Sequence, residues 1–365
     1  MIQKVRVGVV GCGAISGAYL KNAQRLPILE IAACADINPA SAQSKAAEFA
    51  IPEIQTVDEM MADKSIDIIL NLTVPKAHAA ICHAALDSRK HVYTEKPLAI
   101  NRSDAAAILA KARQNNLLAG GAPDTFLGAG LQTARKAIDD GSIGRPVAFT
   151  AFMMCPGHES WHPSPEFYYE QGGGPMLDMG PYYVTALLNL LGPVKRITGL
   201  GSIAIPDRTI TSQPKAGKKM TVETIDHVSG SMEFQQGAIG SITMSFATRF
   251  PQYDGQSPIV IYGTEGTLLV PDPNRFTGPV KLRRNEDPEF RELSLLNNLG
   301  YERSIGLADM AYAIRNHRAP RASGGQCLAA LDVMLGFEDS SSTGRAYSPT
   351  APYTRPEPLA GELDS

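Results

Sequence analysis

Residues 5–16 read VRVGVVGCGAIS, and no other stretch constrains the chain as strongly. A β-branched apolar run stops at Gly11 and Gly13 and passes directly into a helix-like segment. Gly11 permits a tight turn, and Gly13 lets the backbone approach a pyrophosphate closely. Ala14 and Ile15 lead into the helix, whose first N–H groups and positive dipole end suit an anion. Ser16 replaces the third glycine of the usual spacing with another small residue. Glycines in this spacing are weak evidence alone, because a turn can carry them without any ligand.

The next strand narrows the choice. LEIAACA (29–35) ends at Asp36, about 20 residues past the glycines, where a dinucleotide fingerprint places its acidic residue. Its carboxylate would accept the ribose hydroxyls of NAD and repel a 2′-phosphate. No arginine follows at 37–39, so NAD is favoured over NADP. Asp36 also reads as a helix N-cap, but that role does not account for the spacing.

The same grammar continues with IDIILNL (66–72), a helix over 76–87, KHVYTE (90–95), a helix over 103–115 and LLAGG (117–121). About five apolar strands alternating with amphipathic helices predict a parallel sheet covered on both faces. After Gly121 the pattern changes. A helix over 126–140 and a strand over 146–155 come first, then a loop rich in aromatics, His and Pro (156–171). Pro175 opens an apolar helix reaching about residue 191. Strands separated by turn signals follow to about 282, then helices near 302–317 and 325–341. The expected division is 1–122, an NAD-binding Rossmann domain; 123–346, an α+β domain with a mainly antiparallel sheet; and 347–365, an extended or loose proline-rich tail.

A length of 365 residues suits two domains. The net charge of -3 offers no basic excess for a nucleic-acid backbone. No apolar stretch approaches the roughly 20 residues of a bilayer span, and the N-terminal residues enter a strand without signal-peptide architecture. The five cysteines are scattered and odd in number, which predicts reduced, mostly buried thiols and a cytoplasmic setting without membrane attachment.

Four further segments carry chemistry. In Asn71-Leu-Thr73-Val-Pro75-Lys-Ala-His78, Thr73 and Pro75 would border the cofactor, at the carboxyl end of a strand. His78 reads equally as a cofactor contact or as an ordinary helix-start histidine. In Glu95-Lys96-Pro97, Glu95 and Lys96 would line the cofactor, and the proline raises the chance of a cis peptide that aims Lys96 inward. A fixed ammonium there would polarise a substrate hydroxyl or carbonyl. In GGGPMLDMGPYY (172–183), Asp178 and Tyr182 are four apart and would share a helix face, with Gly180 keeping that face open. An ammonium and a cationic pyridine ring would favour the phenolate of Tyr182, making it a proton acceptor in alcohol oxidation. The alternative is structural: Asp178 caps and Tyr182 packs in the core. In the 156–171 loop, Trp161 would cover a sugar C–H face and His158 and His162 would bond its hydroxyls, or Trp161 would simply pack. Two loop histidines make a weak metal site, and no metal is expected.

Taken in order, GCGAIS, Asp36, TVPKAH, EKP and GGGPMLDMGPYY resemble the Gfo/Idh/MocA oxidoreductases over nearly the whole chain. The resemblance extends to IGLADMAYAIRNHRAPRASG near the end. It implies a Rossmann domain followed by an α+β domain with an open-faced, mainly antiparallel sheet, NAD-dependent hydride transfer to or from a carbohydrate or polyol, and assembly as a homodimer or homotetramer through that sheet. It maps the family's catalytic lysine to Lys96 and its helix aspartate to Asp178. Many members carry histidine four residues later, where this chain has Tyr182, so inositol specificity does not transfer. A hydrolase that oxidises its substrate transiently, and a non-catalytic NAD sensor, are the competing readings.

Overall fold

The computed structural model describes residues 3–249, 257–296, 299–359, 361 and 363. The chain forms two compact units. The first comprises Met1–Gly128, Asn297–Leu328 and Leu359–Ser365; the second comprises Ala129–Leu296 and Ala329–Pro358. The linear division expected from sequence therefore gives way to a discontinuous one. The stretch after residue 296 supplies a helix to the first unit, and the 347–365 segment is shared between both.

The first unit opens with β1 (Val5–Val10), α1 (Ser16–Ala23), β2 (Leu29–Ala35), α2 (Pro39–Phe49), β3 (Glu53–Ile54) and α3 (Val57–Ala62). It continues with β4 (Ile68–Asn71), α4 (Pro75–Asp87), β5 (His91–Thr94), α5 (Arg102–Gln114) and β6 (Ala119–Gly121). The strands pair in the order β3-β2-β1-β4-β5-β6, every pair parallel. The two-residue β3 was not legible as a strand. The apolar runs of β1, β4 and β5 are buried because helices cover both sheet faces. Local chemistry sets the helix starts: Asn38 caps α2 ahead of Pro39, Thr56 and Glu59 form a capping box on α3, and Asn101 caps α5. The strand order reverses between β1 and β4, so the loops leaving their carboxyl ends diverge and open a crevice at that edge.

The second unit contains α6 (Ala129–Asp139), β7 (Pro146–Met154), α7 (Gly174–Asp178), α8 (Gly180–Leu191), β8 (Val194–Ser202), β9 (Asp207–Thr209) and β10 (Lys219–Thr221). Then come β11 (His227–Phe234), β12 (Ile239–Ser245), β13 (Ile259–Gly263), β14 (Gly266–Val270), β15 (Lys281–Arg284) and β16 (Arg291–Glu292). Eight strands make one sheet in the order β16-β15-β14-β13-β7-β12-β11-β8. All pairings are antiparallel except β12 with β7. Phe337 packs against Gly199 and Gly230 on one face. On the strands' outward positions Leu200 and Ile239 are exposed, so this sheet is open on one side.

Two sequence expectations change here. The helix expected from Pro175 to about residue 191 is broken at Met179 (φ -102, ψ -25) into α7 and α8. Pro181 lacks the N–H that would bond back to Leu177, and its ring opposes that carbonyl. The C-terminal segment is extended but not loose. Tyr347 bridges to Ile197, and buried Asp332 receives the Tyr347 hydroxyl (2.6 Å) and the N–H groups of Thr350 and Ala351 (2.7 and 2.9 Å). Arg355 pairs with Asp139 at 2.6 Å. The last two helices span Ile305–Arg315 and Gly324–Thr343, close to the expected positions.

Candidate active site

At the carboxyl edge of the six-stranded sheet, Gly11 holds φ +102, and a methyl group on it would meet the Leu72 carbonyl carbon at 2.6 Å. Only glycine fits that turn. A methyl on Gly13 would meet nothing within 4 Å, and Gly13, Ala14 and Ile15 are exposed. No side chain caps α1. The open crest and uncapped helix end are the cradle a pyrophosphate requires. Ser16 is buried and donates to the Gly13 carbonyl at 2.7 Å, bracing the turn from below.

Asp36 is aimed at this turn. Its Oδ2 accepts the Cys12 N–H and its Oδ1 the Asn38 N–H, both at 2.7 Å. The side chain is half-buried, and its remaining lone pairs can serve ribose hydroxyls. The residues present therefore fit NAD: a phosphate cradle and, one strand over, a fixed carboxylate.

Thr73 and Pro75 follow β4. The Thr73 hydroxyl donates to Asn71 Oδ1 at 2.7 Å, and Pro75 opens α4. His78 does not face a ligand. It is fully buried, with Nδ1 2.6 Å from the Pro97 carbonyl and Nε2 3.0 Å from the Thr73 carbonyl. It sits in the first turn of α4, as a helix-start histidine would, and both its ring nitrogens bolt two loops together. Burial lowers its pKa, against the pull of the two carbonyls. A neutral ring can donate to only one of them.

Glu95 likewise faces inward. It is 7% exposed, accepts the Tyr19 hydroxyl on Oε1 and the Lys96 N–H on Oε2, each at 2.8 Å. Its expected cofactor role becomes one of holding the backbone that carries Lys96. The Lys96–Pro97 peptide is cis. Behind Glu95, burial raises the phenols of Tyr19 and Tyr93, with Glu95 and Asp124 respectively the next causes. Buried Asp124 sits 3.7 Å from Arg303, and desolvation lifts it to about 6. Sequence reading missed Tyr19 and Asp124, which carry no motif, and gave Asn71 no role of its own.

In the second unit, Asp178 is the last residue of α7 and Tyr182 stands in the first turn of α8. They do not share a continuous helix face. Gly180 does not keep a surface open either: a methyl there would meet Met176 Sδ at 2.9 Å and Met334 Sδ at 3.0 Å. It is a packing glycine. Tyr182 is 6% exposed.

The structure does bring His158 to Asp178, with Nε2 3.8 Å from Oδ2. The His158 ring stacks on Tyr168 (centroids 3.9 Å) and meets Phe246 edge-on (4.4 Å). Trp161 lies 5.3 Å from the His158 ring and is 61% exposed, so it is no core residue. His162 Nδ1 accepts the Ser164 N–H at 3.0 Å. Among the described residues no three His, Cys, Asp or Glu side chains cluster as a metal ion would need.

Beneath this loop lies a network the sequence did not announce. Buried Arg208 bonds Glu159 Oε1 and Asp226 Oδ2, each at 2.8 Å, and covers the Tyr169 ring. Tyr169 donates to Glu159 Oε2 at 2.6 Å. Burial would raise the Glu159 carboxyl, but Tyr169 and Arg208 outweigh it and hold it low. Burial, then Glu159, pushes the Tyr169 phenol up.

Comparison with known proteins follows the same two units. Residues 5–120 match the model of an oxidoreductase family with an NAD-binding Rossmann fold. Residues 131–269 match the GFO/IDH/MocA C-terminal domain. The chain is 28% identical over 348 residues to 1,5-anhydro-D-fructose reductase of Ensifer adhaerens, covering 93% of this chain and 97% of the relative. It is 22% identical over 267 residues to myo-inositol 2-dehydrogenase of Thermotoga maritima, covering 73% and 75%. Levoglucosan dehydrogenase, solved with NADH and L-sorbose, superposes with a TM-score of 0.82 at 20% identity, covering 95% and 99%, a likeness of fold.

Proposed function

The chain belongs to the Gfo/Idh/MocA family of oxidoreductases, and from that premise we propose that it transfers a hydride between NAD and a secondary alcohol or hemiacetal carbon of a sugar, glycoside or cyclitol. One observation carries the reading. A single parallel sheet presents, at one edge, the open Gly11–Gly13 turn, an Asp36 oriented by the Cys12 N–H, and a Lys96 whose backbone is held by Glu95.

Bound NAD supplies the site that accepts or donates the hydride. Asp36 takes the adenosine ribose hydroxyls and disfavours a 2′-phosphate. Thr73 and Pro75 border the cofactor, at the end of β4. The Lys96 ammonium binds the substrate oxygen and stabilises the negative charge that grows on it as the hydroxyl proton leaves. Tyr182 exchanges that proton, accepting it during oxidation and returning it during reduction. Asp178, with His158 beside it, fixes a substrate hydroxyl. Exposed Trp161 offers an apolar face to the C–H side of a pyranose or cyclitol, and His162 a further polar contact.

The same reading takes the unpaired state of the five cysteines as support for a reducing, cytoplasmic setting. It assigns the open sheet face around Leu200 and Ile239 to a homodimer or homotetramer contact. A panel of polyols, aldoses, cyclitols and glycosides, read by reduced-nicotinamide absorbance with NAD+ and NADP+ side by side, tests the proposal. Reduction of NAD+ by one of them is expected. Cleavage of glycosides without net reduction, or activity with NADP+ alone, would overturn it.

A further inference from the structure

The hairpin β9–β10 stands outside the eight-stranded sheet and pairs only with itself. Side chains and backbone of this hairpin bond the 156–171 loop at several points. Arg208 Nη1 reaches the Pro156 carbonyl (3.1 Å) and Glu159 Oε1 (2.8 Å). Its Nη2 reaches Asp226 Oδ2 and the Phe246 carbonyl, both at 2.8 Å. One planar guanidinium thus holds the loop with one edge and, with the other, the residues that flank β11 and β12. Past the strand, the N–H groups of Thr211 and Ser212 both bond the Glu159 carbonyl, at 2.8 and 3.0 Å. The Ser212 hydroxyl donates to the His162 carbonyl at 2.5 Å. Lys215 and Lys218 pair with Glu166 from the hairpin's far end, at 2.7 and 2.9 Å.

We propose that Arg208 and Ser212 are positioning residues for the substrate loop, and that the β9–β10 hairpin sets where His158 and Trp161 stand and so which sugars are accepted. The inference rests on the reading that this loop touches substrate. Its logic is geometric. Glu159 lies between His158 and Trp161 in sequence, and the hairpin holds both its side chain and its carbonyl. Ser212 holds His162 on the other side of Trp161. The exposed indole is thus clamped at both flanks by residues that touch no substrate themselves. A hairpin that contributes nothing to the pairing of the main sheet can change length or sequence and re-aim the loop without disturbing the fold.

The chain has a single tryptophan, so its fluorescence reports this loop directly. Arg208→Met would leave Asp226 and Glu159 buried without their cation and threatens folding. Glu159→Gln and Ser212→Ala are therefore the working variants, with Arg208→Lys as the conservative one. Both working variants should red-shift Trp161 emission and raise its quenching by acrylamide, with circular dichroism unchanged. Unchanged emission and quenching would overturn the proposal. With NAD+ and myo-inositol, D-xylose or levoglucosan as probes, the sugar KM should rise about tenfold while kcat stays within about twofold and the NAD KM holds. A fall in kcat alone, the signature of lost folded protein, would also overturn it. Arg208→Lys, which keeps the cation, should raise the sugar KM less than Glu159→Gln does. Trp161→Ala separates the two layers: if it leaves every sugar KM unchanged, or if no probe is oxidised by the wild type, the recognition reading falls, and Trp161 emission still decides the positioning.

Discussion

The Tyr19 hydroxyl donates a 2.8 Å hydrogen bond to Oε1 of Glu95, tying the helix that leaves the glycine turn to the loop that carries Lys96. The other oxygen of Glu95 holds the Lys96 N–H. One carboxylate therefore couples the helix after the glycine turn to the backbone of Lys96. His78 does the same between the Thr73 and Pro97 carbonyls. Buried themselves, these groups fix the backbone of the loops that carry Thr73 and Lys96. Preorganisation of this kind is what lets a charge act without reorganising during reaction.

Asp36→Ala removes the acceptor for the ribose hydroxyls and the repulsion toward a 2′-phosphate. The NAD KM should rise by about 10- to 100-fold, and the NADP+ to NAD+ preference should shift toward NADP+. Steady-state kinetics with both cofactors checks it; an unchanged ratio would contradict the assignment.

Lys96→Ala should lower kcat/KM by at least about a hundredfold, the loss typical of one preorganised electrostatic group. NADH binding, followed by its own fluorescence, should survive. Turnover at the wild-type rate would refute the role given to the ammonium.

Tyr182→Phe keeps the buried ring and deletes only the hydroxyl. A kcat loss of about 10²–10⁴-fold is expected, together with loss, in the oxidation direction, of the limb along which activity rises as the proton acceptor deprotonates. Retention of both activity and that limb would move proton exchange to another group, His158 being the first to test.

Glu95→Gln and His78→Ala should act through the loops. Each leaves a buried partner unsatisfied, at a cost of about 1–3 kcal/mol in stability. kcat/KM should fall along with thermal stability in both. A His78→Ala enzyme with undiminished stability would show that the two carbonyls are satisfied without the ring.

Asp124 gives the chain a pH signature. Desolvation lifts its folded pKa from 3.8 to about 6. Because the folded value lies above the unfolded one, its favourable contribution is complete below the unfolded value and is lost as pH rises through about 6. The loss amounts to about 3 kcal/mol. The stability of wild type minus that of Asp124→Asn, from urea melts, should fall by roughly this amount between about pH 4 and 7. A flat difference would mean that Asp124 stays charged in the fold across that range.

The first unit was legible because its signals are local. Glycine spacing, continuous apolar strands and an acidic strand end each follow from a few neighbouring residues, and they recovered the parallel sheet, the turn and the place of Asp36. Periodicity failed at Pro181, where a run of helix-favouring apolar residues conceals a break at Met179. It also set Glu95, and in one of two readings His78, beside the cofactor because they flank ligand motifs, when burial turns both inward. Arg208 sat in an irregular stretch with no pattern to mark it.

What the sequence alone determined was chemistry in order: a nucleotide-binding turn, an acidic selector, a lysine at a strand end, and an aspartate and a tyrosine near a glycine-rich bend. Only the tertiary structure decided which polar groups face a ligand and which brace the backbone. The reason is physical: a carboxylate or imidazole is chemically the same in either role, and the difference is whether packing leaves its lone pairs to water or spends them on a carbonyl, a hydroxyl or an N–H brought from far along the chain.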